Sequence, residues 1–219
     1  MLELGLKVFI SYLAGSVNGA LLIGQLAGGI DVRKVGSGNA GGTNALRTQG
    51  KRFAIGVMIV DITKGVLPVL LLPGLAIPGV GHDPLVTREW LVYACGGAAI
   101  FGHCYPVWYE FAGGKGAATA LGVLAAAAPV VVLPSMITWF AMLYTVGFVG
   151  LATVVATAVV PVFLAITAGA EAANLIVFTS ALALFIAFTH RSNLRKLVLG
   201  GATPDVSNSL LNRQSQKSR

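Results

Sequence analysis

Long apolar runs separated by short polar segments dominate the sequence. Six runs cover about residues 4–30, 53–79, 90–109, 117–148, 149–168 and 172–189. Each run is long enough for a helix to cross the hydrocarbon core of a bilayer. The pattern therefore predicts an all-α integral membrane protein.

The distribution of positive charge sets the number of spans. The segment after the first run carries five Lys and Arg residues, and the sequence from position 190 onward carries six, each against a single acidic residue. Both segments should be cytoplasmic, which requires an even number of spans between them. Because only five runs lie between, we predict that the long run 117–148 forms two helices, separated near Pro129 and Pro134.

The total is then seven transmembrane helices, with the amino terminus outside and the carboxy terminus in the cytoplasm. Composition agrees, since 56% of residues are hydrophobic, 11% are charged and the mean hydropathy is +0.82. The positive-inside rule accounts for the net charge of +7, so no nucleic-acid partner is needed. We expect one transmembrane domain over residues 1–200 and a flexible basic cytoplasmic tail over 201–219.

A glycine-rich polar stretch, R-K-V-G-S-G-N-A-G-G-T-N-A-L-R-T-Q-G-K-R, occupies residues 33–52. Glycine turns can point N–H groups into a concavity that holds a phosphate, while hydroxyl, amide and guanidinium groups add donors. A short helix capped by Thr43 and stopped by Gly50 should follow the turns. The alternative is a flexible linker that its charges hold in the cytoplasm. The candidate site residues are Gly36, Ser37, Gly38, Asn39, Gly41, Thr43, Asn44 and Arg47.

A second glycine cluster surrounds Lys115, with Gly113 and Gly114 before it and Gly116 after it. A lysine on a glycine turn at a helix start suits a phosphate, although the spacing is not that of a nucleotide P-loop. A structural turn with a solvated lysine is the alternative. His103, in the preceding apolar run, fits a hydrogen-bonded core histidine better than a catalytic one.

Two charged residues lie inside the second apolar run. Asp61 and Lys64 are one helical turn apart, so their side chains can pair. Charges at such depth are costly and usually line a cavity. The alternative is a structural pair that neutralises itself.

A third polar cluster follows the last apolar run. Helical spacing places His190 and Asn193 on one stripe with the apolar residues Leu194, Leu197 and Val198. Buried polar side chains on such a stripe need partners, which makes both residues site candidates. In the predicted topology all three polar clusters lie at the cytoplasmic face.

Four ordered motifs resemble those of the bacterial acyl-phosphate-dependent glycerol-3-phosphate acyltransferases. The family pattern G-S-G-N-x-G-x-T-N-x-x-R is met by residues 36–47, and D-I-x-K-G by 61–65. The pattern G-H-x-x-P followed by F-x-G-G-K-G-x-A-T is met by residues 102–119, and H-R-x-N-x-x-x-L by 190–197. The resemblance runs from the first span to about Gly200.

The resemblance implies a functional monomer in the bacterial inner membrane, among membrane lipid, with its active site at the cytoplasmic face. It implies transfer of a fatty acyl group from acyl phosphate to glycerol 3-phosphate, giving 1-acylglycerol 3-phosphate and phosphate, the first step of phospholipid synthesis. No cofactor, metal or acyl-CoA is implied. Ser37, Arg47, Lys115, His190 and Asn193 would be catalytic. Lys64 and the glycines around Lys115 would join the substrate-binding residues.

The chain departs from the family pattern at two places. It has Gly147 and Gly150 where R-Y-V-S-L carries arginine and serine, and Ala202 where G-T-E ends in glutamate. These departures affect how that loop and the tail are anchored. They leave the phosphate-binding motifs intact.

A membrane transporter for a phosphorylated solute or anion is the main alternative function. Such proteins place broken helices near the bilayer midplane, whereas these motifs cluster at one face. A scaffold without catalysis would not need Ser37, Arg47 and Lys115 together.

The predicted topology can be tested by cysteine labelling in intact cells. A cysteine introduced at Gly41 should resist a membrane-impermeant reagent, because the glycine-rich stretch should be cytoplasmic. A cysteine at His82, between the second and third spans, serves as the control and should react. Labelling of position 41 from outside would contradict the topology.

Overall fold

The computed structural model describes residues 1–201 and 204–205. The described residues form helices and connecting segments and contain no strand, so the all-helical prediction is confirmed. The chain divides into two compact units, Met1–Ala128 and Pro129–Arg219. Ala202 and most of the predicted tail over 201–219 lie outside the described residues.

The first unit contains six α-helices. They are α1 (Leu2–Gly15), α2 (Gly19–Leu26), α3 (Gly42–Gln49), α4 (Lys51–Leu71), α5 (Arg88–Cys104) and α6 (Ala117–Ala127). Short 3₁₀ turns at Val32–Lys34 and Val107–Tyr109 lie in the two connections that carry the glycine clusters.

The described part of the second unit contains four α-helices. They are α7 (Val132–Thr145), α8 (Val149–Thr167), α9 (Ala173–Thr189) and α10 (Arg191–Val198), with 3₁₀ turns at Pro129–Val131 and Gly169–Ala172. The predicted division of run 117–148 is confirmed, since α6 ends at Ala127 and α7 begins at Val132.

The first apolar run is a broken helix. α1 and α2 meet at a bend of 47°. Asn18 caps α2 with its side-chain oxygen, which accepts hydrogen bonds from the N–H groups of Ala20 and Leu21 at 3.1 and 3.2 Å. The first apolar run is therefore divided at Asn18, while Gln25 lies inside α2.

Three helical segments among the described residues are long and apolar enough to cross a membrane, Lys51–Leu71, Val149–Thr167 and Gly169–Thr189, and the bent α1–α2 pair gives a fourth. The apolar helix α6 has 11 residues, about 16 Å at 1.5 Å per residue, which is roughly half of the hydrocarbon thickness. The count of seven spans therefore stays a prediction.

Glycines let the helices of the first unit approach at backbone distance. A Cβ added to Gly122 of α6 would overlap the carbonyl oxygen of Ile62 in α4, and one on Gly65 of α4 would overlap that of Thr119 in α6. Gly102 of α5 lies in the same way against Tyr12 of α1. Small residues at helix contacts permit such close packing in membranes.

The close contact between α4 and α6 predicts that Gly122→Ala destabilises the protein. The added methyl group meets backbone, which cannot rotate away, so a loss of about 1–3 kcal/mol is expected. Gly97→Ala in α5 is the matched control, because a Cβ there meets nothing within 4 Å. Thermal unfolding in detergent should separate the two variants, and equal midpoints would contradict the packing.

Candidate functional site

The two glycine clusters meet inside the first unit. Gly114 lies against Ala40, so closely that an added Cβ would stand 2.6 Å from the Ala40 carbonyl oxygen and overlap Nε2 of His103. The N–H groups of Gly113 and Gly114 donate to the carbonyls of Cys104 and His103 at 3.2 and 3.1 Å. These glycines therefore dock the second loop onto the end of α5, and their N–H groups are used in doing so.

Asn44 shapes the first glycine loop from within. It is 1% exposed, and its side-chain Nδ2 donates to the carbonyls of Val32 and Val35 at 2.9 and 3.1 Å. Its Oδ1 accepts the N–H of Ser37 at 2.9 Å. A Cβ on Gly36, whose φ is 59°, would overlap the same Oδ1. Asn44, predicted as a phosphate ligand, thus holds the loop that presents Ser37.

Arg33 ties the two loops together at a point that the sequence did not single out. Its guanidinium pairs with Asp31 through Nη2 at 3.0 Å, and its Nη1 donates to the Tyr109 carbonyl at 3.1 Å. The hydrogen bonds from Arg33 lower the pKa of the Asp31 carboxyl, so the pair is charged at neutral pH. In the sequence, the spacing D-x-R at the start of the loop is the pattern from which the pairing of Asp31 with Arg33 could have been predicted.

A helix begins directly after each glycine cluster. Gly41 is the N-cap of α3, so the prediction that Thr43 caps this helix is wrong, and Thr43 lies in its first turn. The predicted stop at Gly50 is confirmed, with φ at 85°. Gly116, also at φ 85°, is the N-cap of α6.

The first-turn N–H groups of α3 and α6 are candidate donors for a ligand. The N–H of Ser37 donates to Asn44 Oδ1 in α3, and the N–H groups of Gly38 and Gly41 donate to carbonyls inside the first loop. The first N–H groups of a helix have no intrahelical acceptor, and together with the helix dipole they bind anions. Both helix starts adjoin the contact between Ala40 and Gly114, and two phosphates could be held side by side there.

The predicted site residues of the first unit differ in exposure. Ser37, Gly36, Gly38 and Arg47 are exposed, and Lys115, Thr43 and Asn39 are half-buried. Gly41 and Gly116 are buried as helix caps. The exposed and half-buried side chains therefore lie on the two loops that carry the helix starts, while the buried ones set the loop geometry.

A buried ionic cluster lies beneath the loops. The predicted pair between Asp61 and Lys64 is confirmed, with Nζ 2.8 Å from Oδ1 and the side chains only 1% and 6% exposed. His103, also buried, places Nδ1 3.3 Å from the same oxygen. Lys64 also donates to the Val17 carbonyl at 2.9 Å. Its contacts on the described chain are internal, so its predicted role in binding phosphate stays a prediction.

The same cluster holds the break between α1 and α2. Asp61 Oδ1 accepts the N–H of Gly19 at 2.9 Å, which is the first N–H of α2. Asn18 donates through Nδ2 to the Ala40 carbonyl at 3.2 Å. One polar network therefore joins the broken helix, α4, α5 and both glycine loops. Asn18 and His103 belong to this network, although neither was predicted as a site residue.

The second unit carries the third cluster. His190 is 5% exposed, and its Nδ1 lies 2.8 Å from the Ile186 carbonyl. Because a carbonyl only accepts, Nδ1 carries a proton in this contact. Asn193 was predicted on a buried stripe with Val198, which is wrong, since both are exposed. A new helix, α10, starts at Arg191 with His190 as its N-cap, so the helical periodicity of the preceding span does not continue through Asn193.

Comparisons with known proteins agree with this geometry. The family model described as glycerol-3-phosphate acyltransferase matches residues 6–200. A glycerol-3-phosphate acyltransferase of Aquifex aeolicus (strain VF5) is 36% identical over 193 residues, 88% of this chain and 94% of the relative. Another, of Bacillus cereus (strain G9842), is 39% identical over 193 residues, 88% of this chain and 90% of the relative.

Two solved structures have a similar fold. A crystal structure of PlsY (YgiH), an integral membrane glycerol 3-phosphate acyltransferase, in its glycerol 3-phosphate form superposes with a TM-score of 0.78 at 34% identity. It covers 93% of this chain and 96% of the other. The lysophosphatidic acid form gives 0.76 at 34% identity, covering 92% and 94%.

The helical fold and its apolar helices define a multi-pass integral membrane protein. Its glycine loops, buried ionic cluster and ordered motifs fit an enzyme that handles phosphates. The chain belongs to the glycerol-3-phosphate acyltransferase family. Among the residues that the structure describes, no group of three His, Cys, Asp or Glu could hold a metal ion.

The buried pair predicts that Asp61→Asn is strongly destabilising. The substitution leaves the Lys64 ammonium without its counter-charge in a buried place, which typically costs about 3–5 kcal/mol. The double variant Asp61→Asn with Lys64→Met is the control and should recover part of that loss. Thermal unfolding measures both. An unchanged midpoint for Asp61→Asn would contradict the pairing.

Proposed function

We propose that this chain transfers a fatty acyl group from acyl phosphate to glycerol 3-phosphate, releasing 1-acylglycerol 3-phosphate and phosphate. The observation that carries the proposal is the meeting of two glycine loops, each leading into a helix start, at Ala40 and Gly114. A reaction between two phosphate-bearing substrates needs two anion sites side by side. Family membership supports glycerol 3-phosphate as the acceptor.

Glycerol 3-phosphate, on this proposal, binds at the start of α6. The N–H groups of the first turn of α6 face its phosphate, and Lys115 adds a positive charge one residue before the N-cap Gly116. Gly113, Gly114 and Gly116 contribute by their geometry, because a side chain at Gly113 or Gly114 would overlap the end of α5.

The acyl phosphate binds at the first loop and the start of α3. Ser37 is exposed on the loop that Asn44 holds, and its hydroxyl can donate to a phosphate oxygen. Gly36, Gly38, Asn39, Gly41 and Thr43 form the backbone of that site. Arg47, exposed on the last turn of α3, offers a planar fork that can grip two oxygens.

His190 and Asn193 complete the set of catalytic residues that the family motif implies. A hydroxyl that attacks a carbonyl must lose its proton. We propose that the acyl phosphate itself accepts this proton, while His190 and Asn193 position glycerol 3-phosphate. Acyl phosphate already has a good leaving group, so the protein mainly positions the hydroxyl and stabilises negative charge.

The topology and location form part of the same proposal. We place seven spans in the bacterial inner membrane, with the short helix α6 as one of them, the amino terminus outside and the phosphate sites at the cytoplasmic face. The charge asymmetry of the loops supports this orientation. The chain acts as a monomer with one catalytic domain over 1–200, surrounded by membrane lipid.

The proposed reaction can be tested with purified protein in lipid vesicles. Acyl phosphate and glycerol 3-phosphate should give 1-acylglycerol 3-phosphate, whereas acyl-CoA with glycerol 3-phosphate should give none. Uptake of labelled glycerol 3-phosphate into sealed vesicles without product would support the transporter instead. Product formation with acyl-CoA but not with acyl phosphate would show that acyl phosphate is not the donor.

The proposed contact of the Arg47 guanidinium with two phosphate oxygens predicts that Arg47→Lys is not conservative. A lysine keeps the charge but loses the planar fork, so turnover should fall at least about tenfold, equivalent to about 1.4 kcal/mol of transition-state binding. Arg52→Lys is the matched control, because Arg52 is exposed on α4 outside the motif. Steady-state kinetics measure both variants. If Arg47→Lys stays within about twofold of the parent, Arg47 serves only the orientation of the chain in the membrane.

A further inference from the structure

We propose that Asp205 is a positioning residue for the reaction, because it anchors the chain that follows α10 to the start of α8. α10 has His190 as its N-cap and carries Asn193, so an anchor beyond its end fixes the helix that presents both residues. The proposal rests on the proposed function of these two residues. It adds a residue outside every motif that the sequence singled out.

The anchor consists of two hydrogen bonds in opposite directions. The Asp205 carboxylate accepts the N–H of Val149, the first residue of α8, at 2.7 Å through Oδ2. The N–H of Asp205 donates to the Gly147 carbonyl at 2.8 Å. The N-cap position of α8 is Phe148, whose side chain offers no acceptor. A residue 56 positions further along the chain therefore caps this helix.

A carboxylate suits this position for two reasons. The first N–H groups of a helix lack intrahelical acceptors, and the positive end of the helix dipole favours an anion. Gly147 and Gly150 stand where the family pattern has arginine and serine, so neither position supplies a side-chain acceptor at this turn. Gly147, at φ of 85°, accepts the N–H of Asp205 with its carbonyl.

α10 touches the same turn at a second point. A Cβ on Gly150 would stand 2.7 Å from Nδ2 of Asn193 and 3.0 Å from its Cβ, so the Asn193 side chain occupies the space that glycine leaves. α10 is therefore held on the first turn of α8 by Asn193, which lies in α10, and by Asp205, which follows α10 in the chain.

The length of α10 makes the anchor consequential. It has eight residues, and isolated helices shorter than about 12 residues are marginal in water. Leu194 and Leu197 are only half-buried, and Val198 is 84% exposed. With so little apolar burial, the orientation of Asn193 depends on the links at either side of it.

The experiment compares three variants in the glycerol 3-phosphate acyltransferase assay. Asp205→Ala removes the cap and should raise the KM for glycerol 3-phosphate about fivefold, the size of a lost N-cap, with a smaller change in kcat. Asp205→Asn keeps an oxygen that accepts from Val149, so its KM should stay within about twofold of the parent. Glu171→Ala removes an exposed carboxylate at the other end of α8 and should match the parent.

Two kinetic results would overturn the proposal. Equal KM values for Asp205→Ala and Glu171→Ala would show that the anchor does not position α10. A KM for Asp205→Asn as high as that of Asp205→Ala would show that the hydrogen bond from Val149 to the side-chain oxygen does not position α10.

Amide hydrogen exchange gives a readout that does not need activity or the alanine variant. Peptides covering residues 147–151 should exchange slowly in the parent and in Asp205→Asn. Rapid exchange of the Val149 amide in the parent would overturn the anchor, even if the alanine variant does not fold. If the parent shows no acyltransferase turnover, the proposed function fails, while the exchange of Val149 still tests the anchor.

Discussion

The first unit depends on one buried carboxylate oxygen, Oδ1 of Asp61. It accepts the first N–H of α2 and pairs with Lys64, and it lies beside His103. A charge inside apolar helices is costly unless it is paired and hydrogen-bonded. These contacts meet that need and hold α1–α2, α4 and α5 together. The break in the first apolar run is a consequence, because α2 must start where Asp61 can reach its N–H.

The phosphate loops are positioned from this cluster. Asn18, at the break, donates to the Ala40 carbonyl, and Gly114 packs between that carbonyl and His103. Through Ala40 and Gly114 the buried cluster fixes where α3 and α6 begin. Five N–H groups of the loops donate to acceptors within the protein, those of Ser37, Gly38, Gly41, Gly113 and Gly114. We therefore propose that the loops set the geometry of the site and that the helix starts bind the phosphates.

The sequence predicted the features that follow from local chemistry and length. The all-helical class, the division near Pro129, the stop at Gly50 and the pairing of Asp61 with Lys64 all came from apolar length, backbone preferences or helical spacing. The role of Asn44 could not be predicted in this way. Its partners Val32 and Val35 are its neighbours only after the loop folds back. Asp205 illustrates the same limit, since its partner Val149 lies in another helix. The exposure of Asn193 depends on the turn at His190, which periodicity alone does not show.

Hydrogen exchange with bound substrate tests most directly whether the helix starts bind the phosphates. The measurement compares amide exchange of the parent protein in lipid with and without glycerol 3-phosphate, followed through peptides that separate residues 112–114 from 117–119. If the helix starts bind the phosphates, exchange slows at 117–119, where α6 begins, and changes little at Gly113 and Gly114, whose N–H groups already donate to α5. Protection confined to Gly113 and Gly114, with none at the start of α6, would contradict it.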